Sequence, residues 1–169
     1  MLTLLTGGAR SGKSSTAVRL ASESAADVAF VATAEAGDDE MAQRIAHHRT
    51  ERPADWVTIE APVEVAVAVS GVGTDDTVIV DCLALWVTNL LDRTDEEIEA
   101  AAADLAAVLG ARRGDTIVVT NEVGSGIVPD NALARRFRDV LGTVNRCVAE
   151  ASDRAFLCVA GGVVEIQRV

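Results

Sequence analysis

An α/β sandwich built on a mostly parallel sheet is the fold class this 169-residue sequence predicts, and three observations predict it. Short apolar, β-branched runs alternate with stretches of helical periodicity, the pattern of a parallel sheet covered by helices on both faces. The first run, Leu2-Thr3-Leu4-Leu5-Thr6, empties into a glycine-rich turn and then a helix. The last two runs are separated only by Gly161-Gly162, which predicts a hairpin and one antiparallel edge strand.

Strands are expected at 2–6, 28–32, 56–60, 77–81, 116–120, 155–160 and 163–168, about seven in all. Helices are expected at 13–25, 38–50, 62–70, 83–92, 95–112 and 130–151. In the first helix Ala17, Leu20 and Ala21 fall at helical spacing. Thr94-Asp95-Glu96-Glu97 is a capping-box signature for the fifth. Pro129-Asp130 suits the start of the sixth, where Leu133, Phe137, Val140, Leu141, Val144 and Val148 form an apolar stripe. No linker or repeat interrupts the pattern, so residues 1–169 are expected to form a single nucleotide-binding domain.

Composition narrows the function classes. Hydrophobic residues make up 49% of the chain, enough for a packed core, and the net charge of −11 argues against a broad nucleic-acid surface. Cys82, Cys147 and Cys158 match neither a disulfide framework nor a zinc pattern, and read as small buried hydrophobes in a reducing compartment. With no signal peptide visible and no apolar run long enough to span a bilayer, a cytoplasmic protein without membrane insertion is expected.

Lys13 is the only lysine of the chain, among fourteen arginines, and it stands in Gly7-Gly8-Ala9-Arg10-Ser11-Gly12-Lys13-Ser14. This G-x-x-x-x-G-K-S pattern, between a strand and a helix, is a phosphate-binding loop. Glycines let the backbone turn its N–H groups onto a polyphosphate, and the helix adds the positive end of its dipole. The ammonium is a compact charge for the β- and γ-phosphates, and Ser14 offers a hydroxyl to Mg²⁺. The fold expectation sharpens to a P-loop NTPase-like three-layer sandwich. Val78-Ile79-Val80-Asp81 is an apolar strand ending in a carboxylate, a Walker-B-like partner that would place Asp81 near the metal held by Ser14. Glu122 follows the fifth strand in the same kind of position, with either a site role or that of a solvated loop acid.

Both histidines are adjacent, His47-His48, on the helix that opens at Asp38-Asp39-Glu40. Neighbours in sequence do not share a helix face, so the pair makes a poor zinc site. His48 continues the row of Met41 and Ile45, whereas His47 joins Glu40, Gln43, Arg44 and Glu51 on the polar side. His47 is either a surface histidine or a nucleophile, since a neutral imidazole can attack an α-phosphate with pyrophosphate leaving. Arg49 and Arg52 nearby could hold phosphate oxygens. The run Thr120-Asn121-Glu122-Val123-Gly124-Ser125-Gly126-Ile127-Val128-Pro129 is a small-residue loop that either covers an acceptor or only connects.

Taken together, the phosphate loop, Asp38-Asp39-Glu40-Met41, His47-His48-Arg49, Arg52-Pro53 with Trp56, Val87-Thr88-Asn89-Leu90-Leu91, and the 120–129 run carry a resemblance. Ala134-Arg135 with Phe137-Arg138-Asp139, and Asn145, complete it. Over about residues 2–168 the chain resembles the bifunctional adenosylcobinamide kinase/adenosylcobinamide-phosphate guanylyltransferases of cobalamin biosynthesis. The resemblance implies phosphorylation of adenosylcobinamide with ATP or GTP. GMP would then pass from GTP, through a histidine, to the corrinoid phosphate. The guanylylated histidine of the family aligns with His47. Implied nucleotide contacts are Gly7, Gly8, Ala9, Arg10, Ser11, Gly12, Lys13, Ser14, Ala32, Thr33, Ala34, His48, Arg49, Thr50, Glu51, Glu60 and Asp81, with Mg²⁺ at Ser14 and Asp81. Where family members can carry Glu, this chain has Asp81. A symmetric homo-oligomer, a trimer, is also implied. Two other readings stay open: a plain small-molecule kinase that does not use His47, and a GTP-dependent switch protein.

Overall fold

A computed structural model describes residues 1–50 and 52–167. The strands are β1 (Leu2–Gly7), β2 (Val28–Ala32), β3 (Val57–Glu60), β4 (Thr77–Asp81), β5 (Thr116–Val119), β6 (Arg154–Val159) and β7 (Gly162–Glu165). The helices are α1 (Lys13–Ser22), α2 (Asp39–Thr50), α3 (Val65–Ser70), α4 (Leu83–Asn89), α5 (Asp95–Gly110) and α6 (Ala132–Ala151). One seven-stranded sheet runs β3-β2-β4-β5-β1-β6-β7, with every pairing parallel except β6–β7. The expected class, P-loop NTPase-like with one antiparallel edge strand, is the fold observed.

Right-handed crossovers decide which helix covers which face. The chain moves one way along the sheet from β1 to β2 to β3, placing α1 and α2 on one side. It moves the other way from β3 through β4 and β5 to β6, so α3, α4, α5 and α6 lie on the opposite side. The contacts agree: α1 packs on β1, β4 and β5, while α5 packs on both α3 and α6, and α4 on α6. Buried on both faces, Val78, Ile79, Val80 and Val118 have no room for a polar residue.

Helix ends differ from the sequence expectation where distant side chains take the carbonyls. α3 begins at Val65 rather than near 62, because the Pro62 carbonyl accepts from Asn89 Nδ2 (2.9 Å) and the Val63 carbonyl from Trp86 Nε1 (2.8 Å). α4 stops at Asn89 rather than 92, and the Arg136 guanidinium on α6 binds the carbonyls of Leu91 and Arg93 beyond it. α6 starts at Ala132, since the Asn131 side chain accepts from the Leu133 and Ala134 N–H groups. The Thr94–Glu97 capping box at α5 is present with both of its hydrogen bonds.

Strand register places the carboxyl edge in order. Glu60, Ala32, Asp81, Val119 and Leu5 align as successive partners across β3, β2, β4, β5 and β1. The phosphate loop therefore leaves the middle of the sheet, next to the exits of β5 and β6.

Candidate active site

The loop after β1 is shaped by three residues. Gly7 has φ 151° and packs so closely on the Cys158 carbonyl that any Cβ would collide with it. Gly12 has φ 96° and stands as the N-cap of α1, where no side chain caps the helix. The first-turn N–H groups and the dipole thus face the loop's concavity, a suitable place for an anion. The turn of the β6–β7 hairpin braces the loop from the side, with the Gly161 N–H donating to the Ser11 carbonyl (3.1 Å).

Lys13 folds back across this loop. Its ammonium donates to the Gly8 carbonyl (2.6 Å) and the Ser11 hydroxyl (3.4 Å), and only 7% of the residue is exposed. Burial pushes its pKa below the usual lysine value, opposed by the nearby Cys82, Cys158 and Asp81 groups. The Cys82 thiol is itself pushed up to about 11 by burial, so it is a neutral packing group at neutral pH. All three cysteines are free; Cys82 and Cys158 are buried and Cys147 half-buried, close to the expectation.

Asp81 ends β4 beside the first turn of α1. Burial raises its pKa, against a hydrogen bond with the Ser14 side chain and the electrostatic influence of the nearby His48, Arg52 and Lys13. A paired hydroxyl and carboxylate, both hard oxygen donors, suit Mg²⁺, which binds through one or two protein oxygens together with phosphates and water. No cluster of three or more His, Cys, Asp or Glu side chains occurs among the described residues, so a fully protein-enclosed metal site is not what these oxygens build.

Ser14, His48 and Asp81 line one pocket of about 160 Å³, together with Ser15, Val18, Phe30 and Arg52. The Arg52 guanidinium lies over the Phe30 ring, 3.3 Å from its centroid, a cation–π contact that sequence reading did not anticipate. On α2 the half-buried row is Met41, Ile45 and His48, as the helical wheel indicates, while Glu40, Gln43 and His47 are exposed. The His47 and His48 rings are 6.2 Å apart, so His47 stands next to the pocket without lining it.

The remaining expected positions spread along the edge. Arg49 and Thr50 are exposed at the end of α2, and Glu51 lies outside the described residues. Thr33 is fully buried: its hydroxyl accepts from the Cys82 N–H (2.7 Å) and donates to the Cys82 carbonyl (2.8 Å). Asn89 Nδ2 binds the Thr33 carbonyl (2.8 Å) as well as that of Pro62, tying the exits of β2, β3 and β4 together. Neighbouring strands are about 4.8 Å apart, so Glu60 on β3 sits roughly 19 Å across the sheet from β1. It thus lies at the far end of the carboxyl edge from the phosphate loop.

The family model described as cobinamide kinase / cobinamide phosphate guanyltransferase matches residues 3–166. The chain belongs to this family. Among its relatives is the bifunctional adenosylcobalamin biosynthesis protein CobP of Pseudomonas aeruginosa, 46% identical over 95% of this chain and 94% of that protein. Another is the bifunctional adenosylcobalamin biosynthesis protein CobU of Salmonella typhimurium, 40% identical over 99% of this chain and all of that one. Among solved structures, the RadB recombinase superposes with a TM-score of 0.53 at 17% identity, over 92% of this chain and 73% of that one. A type III secretion ATPase gives 0.57 at 12% identity, over 92% of this chain and 51% of that one. Those two likenesses concern the fold alone. Membership makes this chain a transferase of the cobinamide kinase / cobinamide phosphate guanyltransferase family. No helix among the described residues is long and apolar enough to cross a membrane.

Proposed function

We propose that this protein phosphorylates adenosylcobinamide with ATP or GTP and then converts the product to adenosylcobinamide-GDP with GMP drawn from GTP. The observation that carries the reading is the Ser14–Asp81 pair in one pocket with His48, its neighbour His47 on the same helix, in a chain matching the family over residues 3–166. The amides of Gly7, Gly8, Ala9, Arg10, Ser11 and Gly12, with Lys13, cradle the triphosphate. Ala32, Ala34 and Glu60, farther along the edge, meet the nucleoside, while Thr33, fully buried between them, holds the exits of β2 and β4 together rather than touching it. His48, Arg49, Thr50 and Glu51 flank the phosphates. Ser14 and Asp81 hold Mg²⁺, which when bound neutralises phosphate charge.

In the second reaction a nitrogen of the His47 imidazole bonds to the α-phosphorus while the bond to the α,β-bridging oxygen breaks and pyrophosphate leaves. An oxygen of the corrinoid phosphate then attacks the same phosphorus, and the P–N bond breaks to restore the imidazole. A homo-oligomer, a trimer by the resemblance, is part of the proposal, and light scattering measures it. The exposed position of His47, outside the pocket, favours a second reading: a kinase that uses no histidine intermediate.

Incubation with α-labelled GTP and Mg²⁺ separates the two. An acid-labile protein adduct is expected from the wild type and from His48→Ala, and none from His47→Ala. An adduct of undiminished yield in His47→Ala overturns the histidine assignment.

A further inference from the structure

We propose that Glu122 is the general base of the phosphoryl-transfer step, taking the proton of the acceptor hydroxyl. The inference rests on the kinase half of the function proposed above. The two reactions use different nucleophiles: that of the first is a neutral hydroxyl that must lose a proton, whereas those of the second, the neutral His47 imidazole and then an ionised phosphate, attack with lone pairs already free. A base is therefore needed in the first reaction alone.

Topology singles out the carboxylate. The loop that would hold the γ-phosphate follows β1, whose neighbours are β5 and β6. The exit of β6, Val159-Ala160-Gly161, carries no acid, Glu60 is four strands away on β3, and Glu35, Asp38, Asp39 and Glu40 follow β2, three strands away. Asp81 is engaged with Ser14. Glu122, at the exit of β5, is left. Its own N–H donates to the Gly7 carbonyl (3.0 Å), which fixes its backbone on the start of the phosphate loop. Its carboxylate Oε1 accepts from the Gly124 N–H and the Ser125 hydroxyl (2.5 and 3.3 Å), so the group is oriented yet exposed on its loop.

The loop is anchored at both ends. Buried Thr120 donates to Asn145 Oδ1 (2.6 Å), and Asn145 Nδ2 donates to the Asn121 carbonyl (3.0 Å). At the far end Arg135 Nη1 binds the carbonyls of Pro129 (3.0 Å) and Asp130 (2.6 Å). Between the anchors Ile127 is 97% exposed, an apolar contact for a bulky acceptor. A base held on a braced loop needs no reorganisation when the acceptor arrives.

In the step itself the acceptor oxygen bonds to the γ-phosphorus of the nucleoside triphosphate as the bond to the β,γ-bridging oxygen breaks. The nucleoside diphosphate leaves with the electron pair. The hydroxyl proton passes to the Glu122 carboxylate and from there to solvent.

The test is Glu122→Gln in the full chain, an isosteric change that keeps an acceptor for the Gly124 N–H. Two transfers are measured: phosphate from ATP or GTP to adenosylcobinamide, and GMP from GTP to adenosylcobinamide phosphate. The expected result is a loss of about 100-fold or more in kcat for phosphorylation, as for removal of a general base. GMP transfer is retained, and Glu122→Asp recovers part of the phosphorylation rate. Phosphorylation at the wild-type rate in Glu122→Gln overturns the proposal, as does parallel loss of both transfers, or a raised acceptor KM with kcat kept. A wild type that makes no histidine adduct defeats the guanylyl assignment and leaves this test standing; one without phosphoryl transfer defeats the kinase reading and this proposal with it.

Discussion

Lys13 shows how a single residue is kept at a cost to the fold. A buried ammonium whose partners among the described residues are the Gly8 carbonyl and the Ser11 hydroxyl is under-compensated, and its lowered pKa records the cost. For a lysine whose folded pKa lies below its unfolded one, that cost is present at neutral pH. It fades as pH rises through the lowered pKa toward the ordinary value. Lys13→Met should therefore stabilise the nucleotide-free protein by about 0.5–2 kcal/mol at pH 7, in the range common for single stabilising substitutions. The gain should shrink near pH 10, and urea unfolding at the two pH values checks both. Loss of stability at pH 7 would mean that the two hydrogen bonds outweigh the burial. Lys13 is also the residue most legible in the sequence, since a lone lysine between a glycine-rich turn and a helix points to a phosphate. Arg52 is the opposite case. It lines the pocket with Ser14 and Asp81, but its stacking on Phe30, a partner more than twenty positions away on β2, is something periodicity cannot reveal.

At the scale of elements, every strand and helix was legible, because apolar runs and helical stripes are local signals. Boundaries were less so where side chains from elsewhere decide them. The ends of α3 and α4 answer to Asn89, Trp86 and Arg136, whose targets lie 23 to 56 residues away in the chain. The capping box of α5 was readable because both partners lie within one turn. The exit of β5 depends on such a long-range pair, Thr120 with Asn145 on α6. Asn145→Ala would leave the buried Thr120 hydroxyl unpaired and should cost about 1–3 kcal/mol, the penalty of an unsatisfied buried group. Removing both partners as Thr120→Val with Asn145→Ala should cost less than the sum of the two single changes, since the Thr120 hydroxyl is then no longer stranded and only the Asn121 carbonyl loses its donor. A double-mutant cycle by denaturant unfolding measures this, and additive costs would show that the pair is not coupled.

At the scale of the whole molecule, an acidic chain must attract a polyanion. With a net charge of −11 the long-range field opposes a nucleoside triphosphate, and attraction has to be local. The candidate groups for it are the uncapped start of α1, the amides of the glycine loop and the one lysine, gathered at the centre of the sheet by the register of β1, β5 and β6. If these groups bind the triphosphate, it stabilises only the folded state, by about 2.7 kcal/mol at a hundredfold excess over Kd. For a domain of this length each kcal/mol moves Tm by about 2–4 °C, which gives a rise of roughly 5–10 °C. Lys13→Met should lose most of that rise although its nucleotide-free Tm is not lowered. Comparing ATP with GTP in the same thermal scan reads the nucleotide preference directly. An equal rise in Lys13→Met would place the phosphates away from this loop, and the site would have to be sought along the β2 and β3 exits instead.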